Sequence, residues 1–288
     1  KTFDSLPELN LDITTSFNFL TVAQFGPRKN LENTIKWFVE EFRNDNVGLV
    51  VKSNIVKNCL MDRNRLHTDL TNFVRQLGEK TCKVYLLHGD MSDEEMHSLY
   101  NNSQINAFVS LPHGEGFGLP LFEAAYSGLP VVTVGWSGQL DFLVDDSGRE
   151  QFYSVSYDLQ PIQEQVVWDG VLIKESMWAY AREGSAKQQM RTCYTDIING
   201  STNKYTNELH ERFSEKNMYK KFVSMIVEEE DEVALEDIPK ISLVTSVFKA
   251  EEYIEQLMED VTRQTIFESH CEWIILNANK EGDNVEEN

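Results

Sequence analysis

An apolar run, a glycine-rich turn, a short helix and a second apolar run follow one another between Ile105 and Val134. Ile105 to Leu111 reads as a buried strand, and Val131-Val132-Thr133-Val134 reads as the next one. Between them lies His113-Gly114-Glu115-Gly116-Phe117-Gly118-Leu119-Pro120. Pro120 suits the first helical position, where its missing N–H would be unpaired anyway. Gly128 suits the left-handed residue that ends a helix. A strand, turn, helix and strand in this order commits the chain to an α/β architecture.

The turn offers backbone N–H groups at a helix N-terminus, which is a site for phosphate or another anion. Glu115 sits in the loop and Glu123 in the helix. Glu123 lies three residues past Pro120, roughly 4.5 Å along the axis at ~1.5 Å per residue. Carboxylates repel a phosphate but accept hydrogen bonds from hydroxyls. One anion site between two hydroxyl readers points to a phosphorylated sugar or a nucleotide sugar. Taken by itself, the loop is equally a glycine turn before a core helix, with both glutamates solvated.

The preceding chain repeats the pattern. Strands are expected at Phe17 to Ala23, Gly48 to Val51 and Val84 to Leu87. Leu31, Ile35, Phe38, Val39 and Phe42 recur at helical spacing, and residues 59–77 read as a long helix. Ser92 with Glu95 three residues on is a capping-box pattern. Alternating strands and helices imply a doubly wound, Rossmann-like parallel sheet, whose ligands lie outside the carboxyl ends of the strands. That brings the loop after the first strand, Gly26-Pro27-Arg28-Lys29-Asn30, towards the Glu115 turn. Arg28 and Lys29 are then either a solvated pair or a clamp on a diphosphate.

Net charge bounds the partners. With 26 Lys and Arg against 47 Asp and Glu, the chain carries −21. That argues against nucleic acid and against a broad basic face for anionic lipid. Cys59, Cys82, Cys193 and Cys271 show no paired spacing, so reduced thiols are expected, with no metal site and no cofactor. No apolar run approaches the roughly 18 residues of a membrane span. The chain opens at Lys1 with no signal peptide, which suggests a piece of something longer.

The spacing Glu115-x7-Glu123 with Gly-Phe-Gly between resembles the donor-binding motif of the retaining GT-B glycosyltransferases called glycosyltransferase group 1. Phe19-Leu-Thr-Val-Ala-Gln-Phe-Gly-Pro-Arg-Lys-Asn-Leu-Glu32 resembles that family's phosphate loop, with Gln24 where many members carry arginine. Val84 to Leu143 is similar along its length, including His88-Gly89, the Ser92 helix start and Ser137-Gly138-Gln139. The resemblance implies that Glu115 holds donor-sugar hydroxyls and Glu123 the ribose. It implies that Gly116, Phe117, Gly118 and Leu119 present amides to sugar or phosphate, and that Lys29, with Arg28 and Gly26, grips the diphosphate. His113 is either a donor contact or a structural turn residue.

Beyond residue 150, Phe152 to Val155 and Val171 to Ile173 read as strands, Ser185 to Ile198 as a helix, and 205–227 as a further helical stretch. Seven of the ten residues from Glu228 to Asp237 are acidic, the mark of a linker. Pro239 to Phe248, Glu251 to Gln264 and Glu272 to Asn279 then read as strand, helix and strand. This resembles the opening of a family 2, GT-A type glycosyltransferase, with Asn277 where an aspartate is usual. The expected organisation is a linker over 1–15, a donor-binding domain over 16–227, an acidic linker over 228–239 and a GT-A-like fragment over 240–288.

Taken together, the resemblances imply sugar transfer from a nucleotide sugar to a saccharide or lipid-linked acceptor in surface glycan synthesis. The setting would be cytoplasmic, peripheral to the inner membrane in the full-length protein. An acceptor domain would precede this chain, so the chain alone is expected to be inactive. A nucleotide-sugar epimerase of GT-B fold and a non-catalytic nucleotide-sugar binding module are the alternatives.

Overall fold

The computed structural model of the chain describes residues 6–168, 171–201, 206–226, 241–247, 254–263 and 271–277. The chain divides into two compact units, Lys1–Met218 and Tyr219–Asn288.

The first unit starts with β1 (Phe17–Val22), a single turn of 3-10 helix (Pro27–Lys29) and α1 (Leu31–Glu41). There follow β2 (Val47–Lys52), α2 (Leu60–Gln76), β3 (Lys83–Leu87), α3 (Asp93–Tyr100) and β4 (Ala107–Ser110). Next come α4 (Leu119–Tyr126), β5 (Val131–Val134), the one-turn α5 (Leu140–Leu143) and β6 (Tyr153–Val155). A hairpin of β7 (Tyr157–Pro161) and β8 (Met177–Ala181) then leads into α6 (Glu183–Ile198) and α7 (Thr206–Arg212).

β1 to β6 form one parallel sheet in the order β3-β2-β1-β4-β5-β6. The order reverses between β1 and β4. At such a reversal the loops on the two sides diverge and leave a crevice at the carboxyl ends of the strands. β1 shows why the strands read as apolar runs. Phe17 and Phe19 turn to one face, packed with Phe38 of α1, with Phe42 just past its end and with residues of α2 and α6. Leu20 turns to the other, with Phe108, Leu121, Ala124 and Phe142. Each such burial contributes ~1.5–3 kcal/mol, and both faces are covered, as a parallel sheet requires.

The amino end of the sheet is closed by Asn18, which is 1% exposed and fully hydrogen-bonded. Its amide donates to Gln104 O (2.9 Å) and Thr15 O (3.3 Å), and its N–H donates to Asn106 Oδ1 (2.8 Å). Gly48 stands opposite it in register, where a Cβ would lie 2.1 Å from Asn18 Oδ1.

Several sequence-based boundaries shift. The helix after the glycine turn starts at Leu119, with Gly118 as a left-handed N-cap (φ 90°), so Pro120 occupies the second position. Val171 to Ile173 is not a strand. Leu172 makes one isolated bridge to Trp168, and the strand is β8, whose Trp178 and Ala179 are buried. The helical stretch at 205–227 is interrupted by a break at Phe213 and Ser214 between α7 and α8 (Glu215–Ile226). Within the stretch read as a linker over 1–15, Pro7 O accepts from Ser98 Oγ and Leu9 O from Asn102 Nδ2, and Leu9, Leu11 and Ile13 pack on the core. The Ser92–Glu95 capping box forms as expected.

In the second unit, β9 (Ile241–Val247) and β10 (Cys271–Asn277) pair in parallel, joined through α9 (Ile254–Thr262). Ile254 of α9 is buried with Leu257, Met258 and Ile275. Trp273 Nε1 donates to Thr245 Oγ1 (2.9 Å). Val244 and Ile274, which alternate with those residues along the strands, are exposed. The acidic run 228–237 and the outer ends of the three elements expected there lie outside the described residues.

Candidate functional site

Every residue singled out in the two loops sits at the carboxyl end of β1 or β4, on either side of the strand reversal. The first loop is shaped by Asn30, whose left-handed backbone (φ 52°) ends the 3-10 turn and starts α1. Its side chain donates to Leu111 O (3.0 Å), and His113 N donates to Arg28 O (2.8 Å). Two hydrogen bonds therefore lace the β1 loop to the end of β4.

On this frame the charges converge. Arg28 Nη1 lies 2.9 Å from Glu115 Oε2, and Lys29 Nζ lies 2.5 Å from Glu115 Oε1. Arg28 Nη1 also donates to Gly114 O (2.6 Å). The Glu115 side chain is 9% exposed, against 19% for Lys29 and 42% for Arg28. The carboxylate expected to read hydroxyls thus holds both cations expected to grip a diphosphate. Sequence spacing offers no sign of this direct pairing, because eighty-odd residues separate the partners and only the topology joins them.

A third loop, after β5, holds Glu115 by its backbone. Ser137 Oγ donates to Glu115 O (2.7 Å), and Gly138 N donates to the same oxygen (3.0 Å). Gly138 must be glycine, since a Cβ there would meet Gly116 O at 1.8 Å. Phe117 turns its ring into a cluster with Phe122 (5.3 Å), Phe142 (5.0 Å) and Phe213 (6.4 Å). Gly116 and Leu119 are exposed, and no side chain caps α4. Its first N–H groups have no intrahelical acceptor.

His113 is 4% exposed. Burial lowers its pKa, against the raising effect of its hydrogen bond to Ala179 O, so the ring is neutral at neutral pH. Gln24 Nε2 donates to Ile55 O (2.8 Å). Gly26 lines a cavity beside the first loop.

Glu123 lies elsewhere. It accepts from Tyr100 Oη (3.0 Å) and lines a cavity of about 380 Å³ with Asp93, Tyr100, Phe122 and Phe213, a set that excludes Glu115. Among the described residues no group of three or more His, Cys, Asp or Glu is placed to hold a metal ion. No helix there is long and apolar enough to cross a membrane.

Residues 10–165 match the family model described as "Glycosyl transferases group 1". The chain belongs to this glycosyltransferase family. Two curated relatives, both named serotype-specific mannosyltransferase WbdA from Escherichia coli, are 33% identical over 132 residues and 34% identical over 118 residues. Those matches take in 45% and 40% of this chain but 15% and 13% of the relatives, so the chain spans a small part of the proteins it resembles. Among solved structures, Anabaena Alr3699/HepE in complex with UDP and glucose superposes with a TM-score of 0.50 at 12% identity. It covers 74% of this chain and 48% of that one. At that identity the likeness concerns the fold, a GT-B half, and the glycosyltransferase's parallel sheet agrees with it.

The Glu123 environment leads to a pH-dependent expectation. Burial among its neighbours raises the carboxyl pKa, the Tyr100 hydrogen bond lowers it, and the Asp93 charge raises it further. The net shift is upward from the ordinary value of 4.5. The folded carboxyl then gives up its proton later than the unfolded one. Stability is unpenalised below the ordinary value and declines as pH rises through the raised one. Glu123→Gln keeps an acceptor for Tyr100 and removes the titration. Its melting temperature should gain on wild type as pH rises from about 4 to about 8. A gap that stays constant with pH would contradict the raised carboxyl.

Proposed function

We propose that this chain is the donor-binding half of a retaining GT-B glycosyltransferase that transfers a sugar from a nucleotide sugar to a saccharide or lipid-linked acceptor in surface glycan synthesis. The observation that carries this reading is the convergence of Arg28, Lys29 and Glu115 with the open amide end of α4 at the strand reversal. Cations and amides suit a diphosphate, and a carboxylate beside them suits sugar hydroxyls.

In this reading the incoming diphosphate draws Lys29 and Arg28 to itself and frees Glu115 for the donor sugar. The same cations then offset charge on the leaving diphosphate, helped by the amides of Gly116 to Leu119 acting as a fixed dipole. Glu123 receives the ribose. Hydroxyls are the natural ligands of a carboxylate whose surroundings disfavour charge. Further acceptor groups would come from a partner domain outside this chain, so the chain alone should not turn over.

A mannosyl nucleotide is the first donor to test, because the relatives at 33% and 34% identity are named mannosyltransferases. UDP and UDP-glucose come next, because the HepE structure of similar fold holds UDP and glucose. The segment 240–288 is read as the start of a GT-A-type unit beyond an acidic linker, supported by the parallel strand-helix-strand of β9, α9 and β10. The whole protein would then join two transferases, placed in the cytoplasm and peripheral to the inner membrane.

Two experiments follow. Titration calorimetry of the best-binding nucleoside diphosphate should show Lys29→Ala weakening it about tenfold, ~1.4 kcal/mol. Glu123→Ala should weaken the free nucleotide and its sugar alike. Unchanged affinity in a folded Lys29→Ala protein would remove the diphosphate clamp. Limited proteolysis should cut within 228–239 and leave a donor unit that still binds nucleotide. Loss of binding on trimming would show that the second unit is integral to the first.

A further inference from the structure

A cavity of about 420 Å³ lies beside the first loop, outside the Arg28–Lys29–Glu115 cluster. Phe25, Gly26, Pro27 and the amino end of α1 form one side, and Gln163 and Tyr180 of the β7–β8 hairpin form another. Its volume falls in the ~300–1,000 Å³ range of small-molecule sites. No lysine or arginine is among its lining residues, and Glu32 is, so a second phosphate is a poor occupant.

His113 lines the same cavity and anchors the hairpin to the glycine turn. Its Nδ1–H donates to Ala179 O (2.8 Å), and Ala179 N donates to His113 O (2.9 Å). Its ring is stacked with Trp178 (5.1 Å between centroids) and tilted against Tyr180 (4.4 Å). With Nδ1 protonated and the ring neutral, Nε2 carries a lone pair. Among the described residues Nε2 has no hydrogen-bond partner. The residues lining the cavity thus include a tyrosine ring, a histidine with an unpaired acceptor, the amide of Gln163 and that of Asn33, which also donates to Asn30 Oδ1 (2.7 Å), and no lysine or arginine.

We propose that this cavity is a second saccharide subsite, distinct from the donor's sugar, in which a pyranose of the acceptor glycan packs on Tyr180 and donates a hydroxyl to His113 Nε2. The proposal rests on the donor reading in one respect: the donor's own sugar is assigned to Glu115, which does not line the cavity. The hairpin would then be a specificity element, and its anchorage through His113 would fix the distance between acceptor pocket and glycine turn.

The test uses methyl glycosides of mannose, glucose and galactose as probes, by saturation-transfer NMR on the whole chain with saturating nucleoside diphosphate. Wild type should transfer saturation to at least one of them. Gln163→Trp, a filling change at an exposed position, and Tyr180→Ala should each reduce the signal at least fivefold. Calorimetric affinity for the nucleotide should stay within twofold. No signal with wild type, or an equal signal in both variants, overturns the proposal. Displacement of the glycoside by a nucleotide sugar but not by the nucleotide alone also overturns it, by giving the cavity to the donor. Failure of the donor reading looks different: the nucleotide does not bind, while the glycoside signal and its loss in the variants persist.

Discussion

The structure turns on one carboxylate shared by two cations. Glu115 is nearly buried, and Lys29 and Arg28 reach it from a different loop. Exposed ion pairs contribute only ~0–1 kcal/mol, and burying charge carries a desolvation cost that pairing only partly offsets. Stability is therefore a weak reason to assemble these groups. Their arrangement makes better sense as charge held ready: two cations kept in place near an open helix end, neutralised by a group that can be displaced.

Everything around the cluster constrains it. The reversal of strand order between β1 and β4 puts the two loops side by side. Asn30 and His113 lace them together, and Ser137 and Gly138 pin the Glu115 backbone from the β5 loop. Packing against Gly116 leaves no room for a Cβ at residue 138. The Phe117 ring is drawn into the aromatic cluster under α4, which leaves the backbone of the turn on the surface. Three loops thus hold one short turn.

Much of this was legible from sequence. The apolar runs of β1, β2 and β4, the Ser92–Glu95 cap and the glycine turn all have local causes, and the alternation of strands and helices implies their parallel pairing. What was hidden is long-range or small. The hydrogen bond from Tyr100 to Glu123 joins helices that no spacing rule connects. β8, Met-Trp-Ala-Tyr-Ala, is a short run of five residues, and its place is set by distant partners: Ala179 packs in the core below the sheet and Trp178 stacks on His113. The start of α4 moved by one residue because Gly118 adopts the left-handed conformation that serves as its N-cap. Glu115 reads in the sequence as a free hydroxyl acceptor; only the fold reveals that it is ion-paired with Lys29 and Arg28.

That pairing is the most direct point of test. Glu115→Gln should keep the loop's shape while releasing Lys29 and Arg28. Calorimetry should then show a free nucleoside diphosphate binding as tightly as to wild type or more tightly, while the corresponding nucleotide sugar loses its added affinity. Equal weakening of both ligands would contradict the view that Glu115 restrains the phosphate clamp and reads the sugar.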